Sequence, residues 1–256
     1  MTARLSHRRG FTLLEVLLTM GIGSVLLFVA VSMLGQAGNG YERGSGSVAA
    51  EREARAVLTQ MGDDFAKAEW HQDTILENGG EGWKQGRIGF LSLQPNDAQS
   101  EDGRSGDLCA IHYYIKDVKV GTATVRCLMR GFRESNKVFP ELKTGSFANL
   151  FDEDDIDEPV AFGVLSFSAE PLIRDNAGKW DTWRRKPTED GTISQTATDR
   201  PQALRLRLIV ARRELLGKLS TTRDWDSSPL RGAPEQSANN PDLETYEVIQ
   251  RFGTHD

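Results

Sequence analysis

Glu15 is the residue of this chain whose position most demands a chemical reason. From Phe11 to Leu34 it is the only charged side chain, and an acid at the centre of a membrane-spanning helix costs on the order of 2.5 to 3.5 kcal/mol, less near an interface. A carboxylate held in such surroundings calls for a cation. Three other groups of residues could react or ligate. Cys109 and Cys127 are the only cysteines, and the histidines are His7, His71, His112 and His255. Cys109 and His112 stand three apart, which on a strand puts them on opposite faces and unsuits them to a nucleophile and base or to one metal. There is no Gly-x-Ser-x-Gly elbow, so no constellation supports an enzyme. The run Asp152-Glu153-Asp154-Asp155-Ile156-Asp157-Glu158 sets six carboxylates in seven residues. Their repulsion is relieved by water, by arginines or by a hard cation such as calcium, with Asp152, Asp154, Asp155 and Asp157 as the ligands. The run lacks the central glycine of a calcium-hand loop, and a solvated loop is the simpler of the two readings.

The elements that must position these residues follow from hydropathy and periodicity. At about 1.5 Å per residue, a helix from Phe11 to Leu34 spans roughly the 30 Å of a hydrocarbon core. Arg4, Arg8 and Arg9 precede it with no acid among them, so the positive-inside bias keeps the N-terminus cytoplasmic and exports everything after Leu34. A secretory signal would have an apolar region of about 7 to 15 residues and a small-x-small cleavage site. Gly35-Gln36-Ala37 offers such a site, but the run before it is too long and contains Glu15.

Gly10-Phe11-Thr12-Leu13-Leu14-Glu15 resembles the type IV prepilin motif: a glycine, the cleavage point, an aromatic residue, then a glutamate at the fifth mature position, behind a short basic leader. The resemblance implies that a prepilin peptidase of the bacterial inner membrane cuts between Gly10 and Phe11 and that the new amine of Phe11 is N-methylated. The apolar helix is retained for assembly, with the head in the periplasm. Cleavage creates an ammonium one helical turn from Glu15, and a carboxylate in a low-dielectric bundle needs such a partner. In pilin-like filaments that partner belongs to a neighbouring subunit, so Phe11 and Glu15 set the register.

The rest of the chain is polar enough to be soluble and apolar enough to bury a core, at 27% charged and 38% hydrophobic residues. Its net charge of -6, with no basic block outside the leader, argues against nucleic acid. Five glycines between residues 35 and 47 each cost a helix about 1 kcal/mol relative to alanine, which predicts a flexible joint. A helix over about 48–70 follows, N-capped by Ser47, with Ala50, Ala54, Val57, Leu58, Met61, Phe65 and Ala68 on one face. Period-two patterning then predicts strands at Arg87–Leu93, Leu108–Val118, Thr124–Phe132, Val160–Phe167, Ala203–Val210 and Tyr246–Phe252. Leu204, Leu206 and Leu208 share one face of a strand, and Arg205 and Arg207 share the other, solvated or in contact with a neighbouring subunit. Long polar connections separate the strands at 94–107, 136–157, 174–200 and 220–243.

The expected organisation is α+β: a leader (1–10), a transmembrane and assembly helix (11–34), a joint (35–47) and a periplasmic head (48–256). The head has a pilin-like plan, one amphipathic helix packed on an antiparallel sheet with long loops. In the order of its helix, Tyr113-Tyr114-Ile115, Leu128-Met129-Arg130, Val164-Leu165-Ser166-Phe167, Trp180 and Pro201-Gln202-Ala203-Leu204-Arg205-Leu206, the head is similar to J-type minor pseudopilins of type II secretion and to W-type minor pilins. That resemblance implies a non-enzymatic subunit without a resident cofactor, whose partners are other pseudopilins or pilins. Two alternatives share the N-terminus: a minor pilin of an adhesion or DNA-uptake pilus, and an anchored periplasmic binding protein that uses it only for export. If the strands carrying Cys109 and Cys127 form a hairpin centred near Val118, the two cysteines face each other and a disulfide adds about 3 kcal/mol. A turn centred on Gly121 misaligns them and leaves two buried thiols.

Overall fold

A computed structural model describes residues 12–71, 74–77, 86–94, 106–145, 147–184, 200–226, 240 and 242–252. The chain divides into two compact units, Met1–Gly46 and Ser47–Asp256. Helix α1 is assigned over Leu13–Ala66. In the first unit it carries the apolar stretch Leu13–Gln36, with a mean hydropathy of 2.3 and every residue exposed. The backbone of residues 35–47, expected to form a joint, is helical. The division between the two compact units falls in this stretch, after Gly46.

The second unit is α+β. Part of its α1 buries Ala54, Val57, Leu58, Met61 and Phe65, the apolar stripe seen in the sequence. The helix stops at Ala66, before the expected residue 70, because the chain turns into strand β1 (Ala68–Glu69). Strands β2 (Ile75–Glu77), β3 (Arg87–Leu93), β4 (Leu108–Val120), β5 (Ala123–Arg133) and β6 (Glu158–Phe162) complete a six-stranded antiparallel sheet in the order β1-β3-β4-β5-β6, with β2 also on β3. Strands β7 (Val164–Arg174), β8 (Trp180–Thr182), β9 (Ala203–Ala211) and β10 (Leu243–Arg251) form a second antiparallel sheet, ordered β10-β9-β7-β8.

The expected single strand Val160–Phe167 is thus two strands in different sheets. Gly163 between them has φ 70°, a left-handed bend that transfers the chain from one sheet to the other. One core joins α1 to both sheets through Ile88, Phe90, Ile111, Tyr113 and Leu128 on the first and Phe167, Leu204, Leu206 and Leu208 on the second.

The expected loop 136–157 instead contains helix α2 (Ser135–Thr144) and a 3-10 turn, Phe147–Phe151. Pro140 disguised the helix in the sequence; Gly145, left-handed at φ 73°, ends it by donating its N–H to Glu141 O. Val138, Phe147, Leu150 and Phe151 pack with Leu91 and Ala110 of the first sheet. Both faces of that sheet are therefore covered, which is why β4 is buried without interruption from Cys109 to Tyr114.

Candidate functional site: the assembly segment and the buried acids of the head

Thr12 caps the N-terminal end of α1. Its Oγ1 accepts the N–H of Glu15 at 3.2 Å, and its carbonyl accepts from Glu15 N at 3.0 Å and Val16 N at 3.2 Å. This fixes Glu15 in the first turn, where an acid suits the positive end of the helix dipole. The hydroxyls farther along are satisfied within the helix: Thr19 Oγ1 donates to Val16 O at 2.9 Å and Ser24 Oγ to Gly21 O at 2.8 Å. Such back-bonding removes the cost of a hydroxyl in hydrocarbon. Around them Leu17, Leu18, Val25, Leu26, Phe28 and Leu34 are exposed. Glu15 is thus the one ionisable group on an otherwise satisfied apolar rod, and among the described residues its carboxylate has no hydrogen-bond partner. Gly10 and Phe11, the residues flanking the expected cleavage point, lie outside the described residues.

In the head, acids are held differently. Asp64, buried at the end of α1, accepts from Tyr113 Oη at 2.5 Å, from Arg130 Nε at 2.9 Å and Nη2 at 3.1 Å, and from Gln94 Nε2 at 2.9 Å. Ser92 Oγ donates to its carbonyl at 3.2 Å, and Lys67 Nζ donates to Gln94 Oε1 at 3.0 Å. Burial and the Asp64 carboxylate push the Tyr113 hydroxyl well above its ordinary range. Burial alone would lower Arg130, but its bonds to Asp64 outweigh that and raise it. This network pins the end of α1 to β3, β4 and β5. Beside it, Gln60, Asp63, Asp64, Lys67, Arg130, Phe132, Ile156 and Glu158 line a cavity of about 690 Å³.

A second buried acid, Asp157, lies on the opposite face of the same sheet. Arg133 Nη1 donates to its Oδ1 at 2.6 Å; Tyr114 Oη and the Asp154 N–H donate to its Oδ2 at 2.8 and 3.0 Å. Burial would raise Asp157, but these donors, Arg133 first among them, hold it below the usual carboxylate range. His112 Nε2 lies 3.2 Å from Asp157 Oδ2 without the alignment of a hydrogen bond. Its ring stacks on Tyr114, with centroids 5.2 Å apart, and neither the imidazole nor the Asp157 side chain reaches solvent. Burial, opposed by Asp157 and aided by Arg133 and Arg87, lowers His112 to about 4. Gly131 faces this ring across the strand pair, and a Cβ there would overlap it.

These contacts bear on two pairs of alternatives that the sequence left open. Asp157 turns inward and accepts from protein donors, and among the described residues no three His, Cys, Asp or Glu side chains are grouped as metal ligands. The turn between β4 and β5 is centred on Gly121-Thr122, with Val120 opposite Ala123, so Cys127 faces Lys116 and Cys109 faces Ser92. No disulfide joins them; both are buried, and burial pushes the Cys127 thiol up to about 12. Cys109 and His112 lie on one strand at an odd spacing, as the sequence implied, and do not form a dyad.

The arginines of β9 are not merely solvated. Arg205 Nη1 donates to Glu170 at 2.6 Å, and Arg207 donates to Glu247 at 2.7 Å from Nη2 and 2.9 Å from Nε, so the polar face of the second sheet is a cross-strand ion ladder. Sequence reasoning missed both buried acids. Asp64 stands between the apolar positions Met61 and Phe65 beside a second acid, Asp63, and nothing in that local pattern separates the buried acid from its neighbour. Asp157 was masked by its five acidic neighbours.

Residues 5–31 match the family model of the prokaryotic N-terminal methylation motif. No curated protein and no solved structure matches the chain. The motif supports a type IV prepilin-like protein and implies processing by prepilin peptidase and assembly with other pilins, and the single N-terminal apolar helix is consistent with anchorage in the inner membrane.

Proposed function

We propose that this chain is a non-enzymatic minor pseudopilin of a type II secretion system or related type IV filament, nearest in character to the J-type pseudopilins and W-type minor pilins. The observation that carries this reading is the methylation motif at residues 5–31 on a helix whose only charged group among its apolar residues is Glu15. Prepilin peptidase cuts between Gly10 and Phe11, the Phe11 amine is methylated, and Glu15 pairs with the amine of a neighbouring subunit. The segment holds the subunit in the inner membrane with a periplasmic head until assembly. The head, with Asp64 and Asp157 committed to internal contacts, serves for docking and not for catalysis.

The mature N-terminus tests the reading. Intact-mass and N-terminal peptide mass spectrometry of the membrane-extracted protein should find N-methyl-Phe11. A chain beginning at Gly38 would sink the filament reading and leave an exported binding protein.

A further inference from the structure

One end of the second sheet carries a cluster that the assembly segment does not explain. Arg174 and Trp180 face each other in register across β7 and β8, and the Arg174 guanidinium lies 4.8 Å from the Trp180 ring centre. Arg251, at the end of β10, lies 5.8 Å from the same ring. Both arginines are exposed, and neither has a carboxylate partner among the described residues. This sets them apart from Arg205, Arg207 and Arg212, each paired with a glutamate. The nearby acids are committed elsewhere: Asp175 accepts the N–H groups of Ala177 and Lys179, and Asp181 is paired with Ile173 on the other face of its strand and accepts the N–H of Thr182. Ile249, 38% exposed, shares the face of Arg251. Two guanidiniums stacked on one indole form a pre-ordered pair of forked donors, suited to carboxylates.

The same molecule presents the complementary surface. Asp152 to Asp155 are exposed, and Ile156 beside them is 58% exposed. Their backbone is nonetheless fixed, because Arg133 Nη2 donates to Asp152 O at 2.9 Å and the Asp154 N–H donates to the buried Asp157. A rigid acidic tip loses little conformational freedom on docking. Both surfaces lie at the level of the last turns of α1. Gln250, next to Arg251, packs against Gly62, whereas Ile156 lines the cavity shared with Gln60, Asp63 and Lys67. That level is about 20 Å along α1 from Ser47 at 1.5 Å per residue, and the two surfaces belong to different sheets.

We infer that the Arg174–Trp180–Arg251 cluster docks the Asp152–Ile156 tip of a second copy of this chain, a head-to-tail contact between neighbouring heads. Arginines meet carboxylates while Ile249 and Ile156 supply apolar contact. Because the two surfaces differ, the contact is heterologous, and each is offered to a different neighbouring copy. The inference rests on the filament-subunit reading.

Charge reversal in the full-length chain, reconstituted in nanodiscs or detergent, tests it. Self-association is measured by energy transfer between labelled copies, for Arg174→Glu with Arg251→Glu and for Asp152→Lys with Asp155→Lys. Each double variant alone should associate at least about 10-fold more weakly than wild type, and an equimolar mixture should recover to within about 3-fold, since reversed charges again meet opposite signs. Thermal melts identify any variant that does not fold, and Arg174→Gln with Arg251→Gln then replaces the reversal and should weaken association without being rescued. Failure of the mixture to recover overturns the inference. So does unchanged self-association with weakened binding to vesicles of anionic lipid, which would assign the cluster to a headgroup. The mature N-terminus, read on the same samples, separates failure of this contact from failure of the filament reading.

Discussion

Glu15 and Asp64 are two carboxylates on one helix assignment, and they are treated in opposite ways. Asp64 is buried and accepts four side-chain hydrogen bonds from three residues of its own chain. Glu15 is exposed on an apolar rod and, among the described residues, its carboxylate has none. An acid satisfied internally stabilises its own fold, whereas an acid left waiting in an apolar setting is suited to a partner from outside the chain. Head stability and filament assembly should therefore respond to different residues.

The largest stability effect should come from Asp64→Ala. It strands Arg130, Tyr113 and Gln94 in a buried site and should cost about 3 to 5 kcal/mol, seen as a lower urea midpoint for the head transition. A shift within 1 kcal/mol would mean that the network contributes little and the comparison fails.

Acid should come next. The folded-state pKa of His112, about 4, lies below the ordinary 6.5, so the unfolded chain binds the extra proton first. His112 therefore contributes stability that is complete above pH 6.5 and lost as pH falls towards 4, by about 3 kcal/mol in all. Asp157, also lowered, adds a loss at still lower pH. His112→Gln should flatten the urea midpoint between pH 6.5 and 4; an unchanged slope would place its origin elsewhere.

Gly131→Ala should destabilise by about 1 to 3 kcal/mol, because the added methyl overlaps the buried His112 ring. A crystal structure or a thermal melt of the variant would show either the displaced ring or, if the melt is unchanged, a looser pocket than described.

The smallest stability effect belongs to Glu15→Ala, expected within about 0.5 kcal/mol of wild type for the head. The variant should still be processed before Phe11 yet be lost from sheared filament fractions. Normal incorporation would break the pairing account of Glu15, and a destabilised head would break the separation between the two acids.

Much of the fold was legible because it is local and periodic. The stripe Ala54, Val57, Leu58, Met61 and Phe65 is the buried face of α1, and the pattern at Arg87–Leu93 gave that strand its observed ends. Legibility failed wherever one residue redirected the chain. Gly163 splits an apparently continuous strand between sheets, and Pro140 hid a helix that Gly145 ends. The glycines of 35–47 read as a joint; their backbone is helical, and the division between the two units falls after Gly46.

What the sequence by itself determined is the N-terminal segment. Its basic leader, cleavage motif, Glu15 and apolar run lie within one contiguous stretch, and their meaning depends on spacing along the chain and on hydropathy. What only the tertiary structure decided is the fate of the polar residues in the head: that Asp64 and Asp157 are buried hubs, that Cys109 and Cys127 stand apart, and that Arg174 and Arg251 share one indole. Those outcomes depend on strand register. A turn at Gly121 in place of Val118 shifts the pairing of β4 and β5 by an odd number of residues and so exchanges the face of β5 that lies beside Ile111 and Tyr113. With both faces of this sheet covered, alternation along either strand does not choose between the two turns.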